Sequence, residues 1–195
     1  MELKIGGNNM LYIISGIAKS GKSFLAKRIV KKYGIGSFSS DYLMMSLAKA
    51  NPKLNIDIDA SDTTVSNVLK PYLEAMMVTM IENKIDYLLE GVHFKPQMIR
   101  EILDRYPGKI KSVFLGYRDI ETSVKIQELS IFGKDTENHW YKRMNESELK
   151  NLVNYLKNES ELLYIECQKY GFDYVEINNI NDQSENIIHR LFNNE

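Results

Sequence analysis

The chain has 195 residues, of which 44% are hydrophobic and 26% are charged, and its formal net charge is −1. These values are typical of one soluble globular domain that can bury a core. A net charge so close to zero argues against nucleic acid or an anionic membrane as the general partner. No apolar stretch approaches the roughly 20 residues that a membrane-spanning helix needs. Cys167 is the only cysteine, which excludes an internal disulfide and favours a reducing, cytoplasmic setting.

The first strand pattern, residues 10–14, is a short apolar run that leads into Gly16-x-x-x-x-Gly21-Lys22-Ser23. A helical pattern follows at once and continues to Tyr33. A strand, a glycine loop and a helix in this order form the setting of a phosphate-binding loop. The glycines let backbone N–H groups turn towards an anion, and the helix N-terminus adds free N–H groups and a partial positive charge.

We therefore predict that this loop binds a nucleoside triphosphate, ATP or GTP, together with Mg²⁺. Lys22 would contact the β- and γ-phosphates, and the Ser23 hydroxyl would bind Mg²⁺. The alternative is an ordinary glycine turn before a helix, but a chance match at four fixed positions is rare. The residues predicted to contact the nucleotide are Gly16, Ile17, Ala18, Lys19, Ser20, Gly21, Lys22, Ser23 and Phe24.

The rest of the chain alternates between strand and helix patterns. Further strands are predicted at residues 36–39, 85–91, 112–117 and 173–177. Helices are predicted at residues 42–50, from a cap at Asp62, from Pro71 to residue 81, and at residues 95–106, 120–129, 146–170 and 182–192. This alternation predicts a single α/β domain with three layers, a five-stranded parallel sheet with helices on both faces.

Acidic side chains lie at the carboxyl ends of two predicted strands, where α/β folds bind ligands. Asp41 would accept the proton of an acceptor hydroxyl or hold a water on Mg²⁺, or else cap the helix that starts at Tyr42. Glu90 would bind Mg²⁺ through water and contact the substrate, or else have a structural role at the sheet edge. His93, in the next loop, would contact the acceptor or simply be packed or solvated.

Two arginines are candidates for contacts with phosphate. Arg118 follows the fourth strand and would bind the phosphates or base of the nucleotide, or else pair with Asp119 or Glu121. Arg143 lies in residues 131–143, a stretch whose hydrophobic pattern has neither the period of a helix nor that of a strand. It is the candidate for a cation that stabilises charge on the transferring phosphoryl group.

In the order of its elements, nearly the whole chain resembles the small P-loop kinases, such as adenylate kinase, chloramphenicol phosphotransferase and the 2-phosphoglycerate kinase-like proteins. The phosphate loop and Glu90-Gly91-Val92-His93 carry the resemblance at motif level, and the second motif is most similar to the last group. The resemblance implies a mobile lid at about residues 131–143. Family lids usually present several arginines, whereas this stretch offers only Lys134, Lys142 and Arg143.

We predict an ATP- and Mg²⁺-dependent phosphotransferase acting on a hydroxyl or phosphate of a small molecule, with Lys22, Asp41 and Arg143 as catalytic residues. Residues 51–71 and 92–98 would shape the acceptor site. One alternative is a nucleotide-dependent switch or ATPase that regulates a partner, which the arginine-poor lid favours. Another is a kinase of proteins or of nucleic-acid 5′ ends, and the near-neutral charge argues against the nucleic acid.

Overall fold

Five parallel strands form one sheet in the computed structural model, which describes residues 9–132 and 140–192. The strands are β1 (Leu11–Gly16), β2 (Gly36–Ser39), β3 (Tyr87–Glu90), β4 (Ile110–Gly116) and β5 (Tyr174–Glu176), in the spatial order β2-β3-β1-β4-β5. The helices are α1 (Lys22–Tyr33), α2 (Ser40–Ala50), α3 (Asp62–Glu82), α4 (Pro96–Arg105), α5 (Thr122–Phe132), α6 (Glu146–Tyr170) and α7 (Ile180–Phe192). The predicted three-layer α/β fold is confirmed.

Strand β1 lies at the centre of the sheet and is buried on both faces. Leu11 and Ile13 pack into a core that includes residues of α3, α4 and α6. Tyr12 and Ile14 pack into a second core with residues of α1 and α7. Because helices cover both faces of the parallel sheet, the strand is hydrophobic from Leu11 to Ile14. The buried Ser15 hydroxyl that follows donates to the backbone carbonyls of Gly91 and Phe94.

Helix α3 differs from the prediction of two helices separated at Pro71. The structure has one helix across this position, with Ser61 rather than Asp62 as its N-cap. A proline inside a helix removes one hydrogen bond and is destabilising. The side chains of Leu69 and Leu73, one on each side of the proline, are fully buried in the same core. Burial of this continuous apolar stripe offsets the local cost.

Other boundaries agree closely with the predictions, and α1 and α6 match them at both ends. Helix α2 begins two residues earlier than predicted, at Ser40. A short 3₁₀ helix, Pro52–Leu54, interrupts the predicted loop. Residues 133–139 of the predicted lid lie outside the described residues; the stretch after them forms a 3₁₀ helix, Trp140–Arg143. None of the helices in the described ranges combines the length and apolar character needed to cross a membrane.

The sheet register brings the candidate residues to one edge. Glu90, the last residue of β3, is paired with Ile14 of β1 and with Ser39 of β2. The loop at residues 16–23, the start of α2 and the segment after β3 therefore meet at the carboxyl ends of three adjacent strands. This is the edge of an open α/β sheet at which ligands bind.

Candidate functional site

The loop at residues 16–23 has the backbone conformation that its glycines predict. Gly16 has a φ of 132°, and a Cβ atom there would collide with the backbone carbonyl of Leu115. Gly21 has a φ of 94° and is the residue from which α1 begins. Lys19 also has a positive φ, 62°. Successive turns of this kind point backbone N–H groups into a concave surface that suits an anion.

Two buried side chains, one directly after β4 and one in α5, donate hydrogen bonds to carbonyls of this loop. The Tyr117 hydroxyl donates to the carbonyl of Ala18 at 2.7 Å. The Lys125 ammonium donates to the carbonyl of Lys19 at 3.0 Å and to Glu128 at 2.9 Å. Its Nζ also lies 4.0 Å from the centroid of the Tyr117 ring. Sequence reasoning missed both residues. For Lys125 the reason is that lysine is ordinarily exposed to solvent.

Lys22 is buried at the base of the loop, with a relative exposure of 7%. Its Nζ donates to the carbonyl of Ile17 at 2.7 Å. Burial lowers the pKa of Lys22 from its ordinary value of 10.5 to about 8, and the negative charges of Glu90 and Asp41 oppose that effect. A cation buried in this way has lost part of its hydration. The negative charge of a bound polyphosphate would compensate for that loss.

The burial of Lys22 predicts a characteristic pH dependence of stability. Since its pKa is about 8 in the folded protein and about 10.5 when exposed, the buried charge lowers the free energy of unfolding below pH 8. That cost, on the order of 3 kcal/mol, should disappear as the pH rises from 8 to 10.5. Urea unfolding should therefore show that the stability of Lys22→Met relative to wild type declines over this interval. The lost hydrogen bond to Ile17 adds a constant offset between the two proteins. A difference in the free energy of unfolding that does not change with pH would contradict the lowered pKa of Lys22.

Ser23 and Glu90 form an oxygen-rich pair beside Lys22. The Ser23 hydroxyl is 3.3 Å from each carboxylate oxygen of Glu90. Helix α1 positions the serine in its first turn, and the carboxyl end of β3 positions the glutamate. Mg²⁺ prefers oxygen ligands and is usually held by one or two protein groups together with phosphates and waters. The two side chains fit the Mg²⁺ site predicted for them.

A third group of polar side chains lies at the start of α2. The Ser40 hydroxyl is 2.8 Å from His93 Nδ1, and both residues are buried. Asp41 Oδ1 is 3.8 Å from the same nitrogen, and this carboxylate is 63% exposed. Burial lowers the pKa of His93, and the Asp41 charge opposes that effect. The imidazole, fixed by Ser40, is thus favoured in its neutral form at neutral pH.

The alternative role of Asp41 as a helix cap is wrong. Ser39 is the N-cap of α2, and its side chain accepts a hydrogen bond from the backbone N–H of Asp41. Asp41 therefore lies in the first turn of the helix with its carboxylate exposed to solvent. The structure leaves this carboxylate accessible to a ligand.

A single cavity of about 770 Å³ joins these groups. It brings together Lys22, Ser23, Asp41, Glu90 and His93, all of which were predicted from the sequence. It also includes residues from both segments expected to shape the acceptor site. The other lining residues are Ala18, Lys19, Gly21, Phe24, Met44, Ile58, Asp59, Ala60, Ser61, Asp62, Val65, Val92, Leu152, Tyr155 and Leu156.

The two predicted arginines lie apart from the described lining of this cavity. Arg118 lies 3.3 Å from both Asp119 and Glu161, and its guanidinium is 3.8 Å from the centroid of the Tyr164 ring. The alternative prediction of a pair with Asp119 is confirmed. Arg143 is exposed at the end of the 3₁₀ helix. Contacts of either arginine with nucleotide or phosphate stay predictions.

No family model matches the chain. No curated protein sequence matches it either. Solved structures do match the fold. Shikimate kinase from Bacteroides thetaiotaomicron is 13% identical, with a TM-score of 0.57, and the match covers 93% of this chain and 97% of that chain. Shikimate kinase from Acinetobacter baumannii in complex with shikimate is 13% identical, with a TM-score of 0.50, over 92% and 90% of the two chains.

An uncharacterized protein from Eubacterium ventriosum ATCC 27560 is also similar, with 14% identity and a TM-score of 0.55 over 94% of this chain and 98% of that chain. At these identities the likeness is one of fold. The chain therefore has the fold of these two shikimate kinases, a five-stranded parallel sheet with helices on both faces, and its glycine loop at residues 16–23 lies at the carboxyl edge of that sheet. The narrower resemblance to adenylate kinase, chloramphenicol phosphotransferase and 2-phosphoglycerate kinase-like proteins stays a prediction.

Proposed function

We propose that this chain is a Mg²⁺-dependent kinase that transfers the γ-phosphoryl group of ATP or GTP to a small molecule. One observation carries the proposal: the cavity that opens from the phosphate loop also contains the exposed carboxylate of Asp41. A nucleotide held by the loop would direct its terminal phosphate into this space, and the cavity volume of about 770 Å³ suits a small-molecule ligand.

The loop and Lys22 would bind and orient the triphosphate. Backbone N–H groups of the loop and of the first turn of α1 would donate to phosphate oxygens. The Lys22 ammonium would exchange its hydrogen bond with the Ile17 carbonyl for contacts with the β- and γ-phosphates. Tyr117 and Lys125 would keep the loop in its binding conformation through their bonds to its carbonyls.

Ser23 would hold Mg²⁺ directly and Glu90 would hold it through water, and the ion would neutralise charge on the phosphates. The acceptor oxygen would form a bond to the γ-phosphorus while the bond from that phosphorus to the bridging oxygen breaks, releasing the nucleoside diphosphate. Asp41 would take the proton of an acceptor hydroxyl, and neutral His93 would help to orient that hydroxyl. Arg143, from the predicted lid, would add positive charge at the transferring group.

The experiment is a transfer assay with [γ-³²P]ATP, Mg²⁺ and fractionated small-molecule extracts, followed by identification of the labelled product. We expect label to enter an organic acceptor with wild type and not with Lys22→Ala. The matched control is Lys27→Ala, because Lys27 is an exposed lysine on the same helix. If no acceptor is labelled and a protein partner stimulates steady hydrolysis of ATP, the result would instead favour a nucleotide-dependent switch.

A further inference from the structure

The part of the cavity beyond the phosphate loop is lined by acids. Asp41, Asp59 and Asp62 all face it. Among the described residues that line the cavity, the lysines are Lys19 and Lys22, and both belong to the phosphate loop. Neither Asp59 nor Asp62 forms an ion pair within the described ranges. With Glu90, the described lining of the cavity contains four acids and two lysines, so the region in which an acceptor would lie has an excess of negative charge.

The neighbouring titratable groups do not reverse this balance. His93 lines the same region, and burial lowers its pKa, which favours the neutral imidazole. Lys95 is half-buried and interacts electrostatically with Asp62, Glu159 and Glu166. Acids therefore outnumber cations around Lys95 as well.

The same region has an apolar wall that solvent reaches. Ile58 and Tyr155 are 45% and 46% exposed, although both are large hydrophobic side chains. They lie on the loop before α3 and on α6, so the wall is formed from separate parts of the chain. The other large apolar residues of this wall are Met44, Val65, Leu152 and Leu156. An apolar group placed here would cover surface that is otherwise in contact with water.

We propose that the acceptor is a hydroxyl compound that carries a positive charge beside an apolar body. The inference rests on the proposed kinase function and names the substrate class of the same cavity. The positive charge would lie near Asp59 and Asp62, the apolar body against Ile58 and Tyr155, and the hydroxyl near Asp41. A carboxylate such as shikimate, the ligand of one structurally similar kinase, would meet three acids here.

Binding of three matched probes tests the charge preference. Phenylalaninol, 3-phenyl-1,2-propanediol and 3-phenyllactate share a phenyl body and a hydroxyl, and are respectively cationic, neutral and anionic. Calorimetric titration would use the protein saturated with Mg²⁺ and β,γ-imido-ATP. We expect phenylalaninol to bind at least tenfold more tightly than phenyllactate. Equal or tighter binding of phenyllactate would overturn the proposal.

The double variant Asp59→Asn/Asp62→Asn assigns the effect to these acids. It should weaken the binding of phenylalaninol about tenfold and leave the binding of the neutral diol unchanged. Asp57→Asn is the matched control, because Asp57 lies on the same loop but outside the described lining. A double variant that binds phenylalaninol as wild type does would contradict the role given to Asp59 and Asp62.

Cysteine labelling measures the negative potential of the cavity without any acceptor. It therefore tests the proposed charge preference even if none of the three probes binds. Ile58→Cys places a thiol in the cavity wall, Val124→Cys places one on an exposed position of α5, and the native Cys167 is buried. Cationic and anionic methanethiosulfonates would be compared at both positions, without nucleotide. We expect the cation-to-anion rate ratio at position 58 to exceed that at position 124 at least fivefold, and to fall in the double variant.

Equal ratios at the two positions would overturn the inference while leaving the kinase proposal intact. Failure of the protein to bind nucleotide would instead refute the kinase proposal, since labelling reports the cavity potential whether or not phosphate is transferred. The two failures are therefore distinguishable.

Discussion

Lys22→Ala should remove most of the rise in unfolding temperature that Mg²⁺–ATP produces in the wild-type protein. A ligand at 100 times its dissociation constant stabilises the folded state by about 2.7 kcal/mol, which corresponds to roughly 5–10 °C for a domain of this size. The variant loses the buried ammonium that would contact the β- and γ-phosphates. Differential scanning fluorimetry at several nucleotide concentrations measures the effect.

The control for this experiment is Lys27→Ala, which removes an exposed lysine of α1 and should keep the full thermal shift. Both variants lose one positive charge from the same helix. A general electrostatic effect would therefore reduce the nucleotide-dependent thermal shift of both variants equally. Equal shifts in wild type and Lys22→Ala would show that the loop is not the phosphate site.

Asp41→Asn should lower the rate of phosphoryl transfer by roughly 10²–10⁴-fold, which is the usual contribution of a positioned acid or base. Asparagine keeps the shape of the side chain but does not take the proton of the acceptor. Stability should change little, because Ser39 caps α2 and the Asp41 carboxylate is 63% exposed. Nucleotide affinity should also survive, since Lys22, Ser23 and the loop N–H groups would provide it.

Single-turnover transfer to the identified acceptor, together with the nucleotide-dependent thermal shift, measures both quantities. The control is Asp57→Asn, an acid-to-amide change outside the described lining of the cavity. Transfer by Asp41→Asn at a rate near that of wild type would remove Asp41 from the catalytic residues.

The sequence predicted the conformation of residues 16–33 well, because the glycine loop and the helix after it depend on local chemistry. The positive φ values at Gly16 and Gly21 are of the kind that glycine tolerates without strain. The helix at Lys22–Tyr33 follows from the same local pattern. The prediction at Pro71 was wrong for the opposite reason: burial of Leu69 and Leu73 in the core, a tertiary effect, outweighs the local preference of proline.

Outside the loop at residues 16–23, the site residues that were predicted lie at the end of a strand or shortly after it. Asp41, Glu90 and His93 could be placed because parallel strands bring their carboxyl ends to one edge. Tyr117 and Lys125 could not be placed from the sequence, because each contacts a loop residue far away in the chain. The separations are 99 positions for Tyr117 and 106 positions for Lys125. Asp59 and Asp62 were missed since the path of the loop before α3 decides whether they face the cavity.

The most direct test of the central claim is a crystal structure with Mg²⁺ and β,γ-imido-ATP. We predict that the triphosphate occupies the loop at residues 16–23, with Lys22 Nζ on the β- and γ-phosphates and Mg²⁺ on the Ser23 hydroxyl. The γ-phosphate should face the cavity that contains Asp41. A triphosphate bound elsewhere, or a γ-phosphate directed away from that cavity, would contradict the assignment of the site.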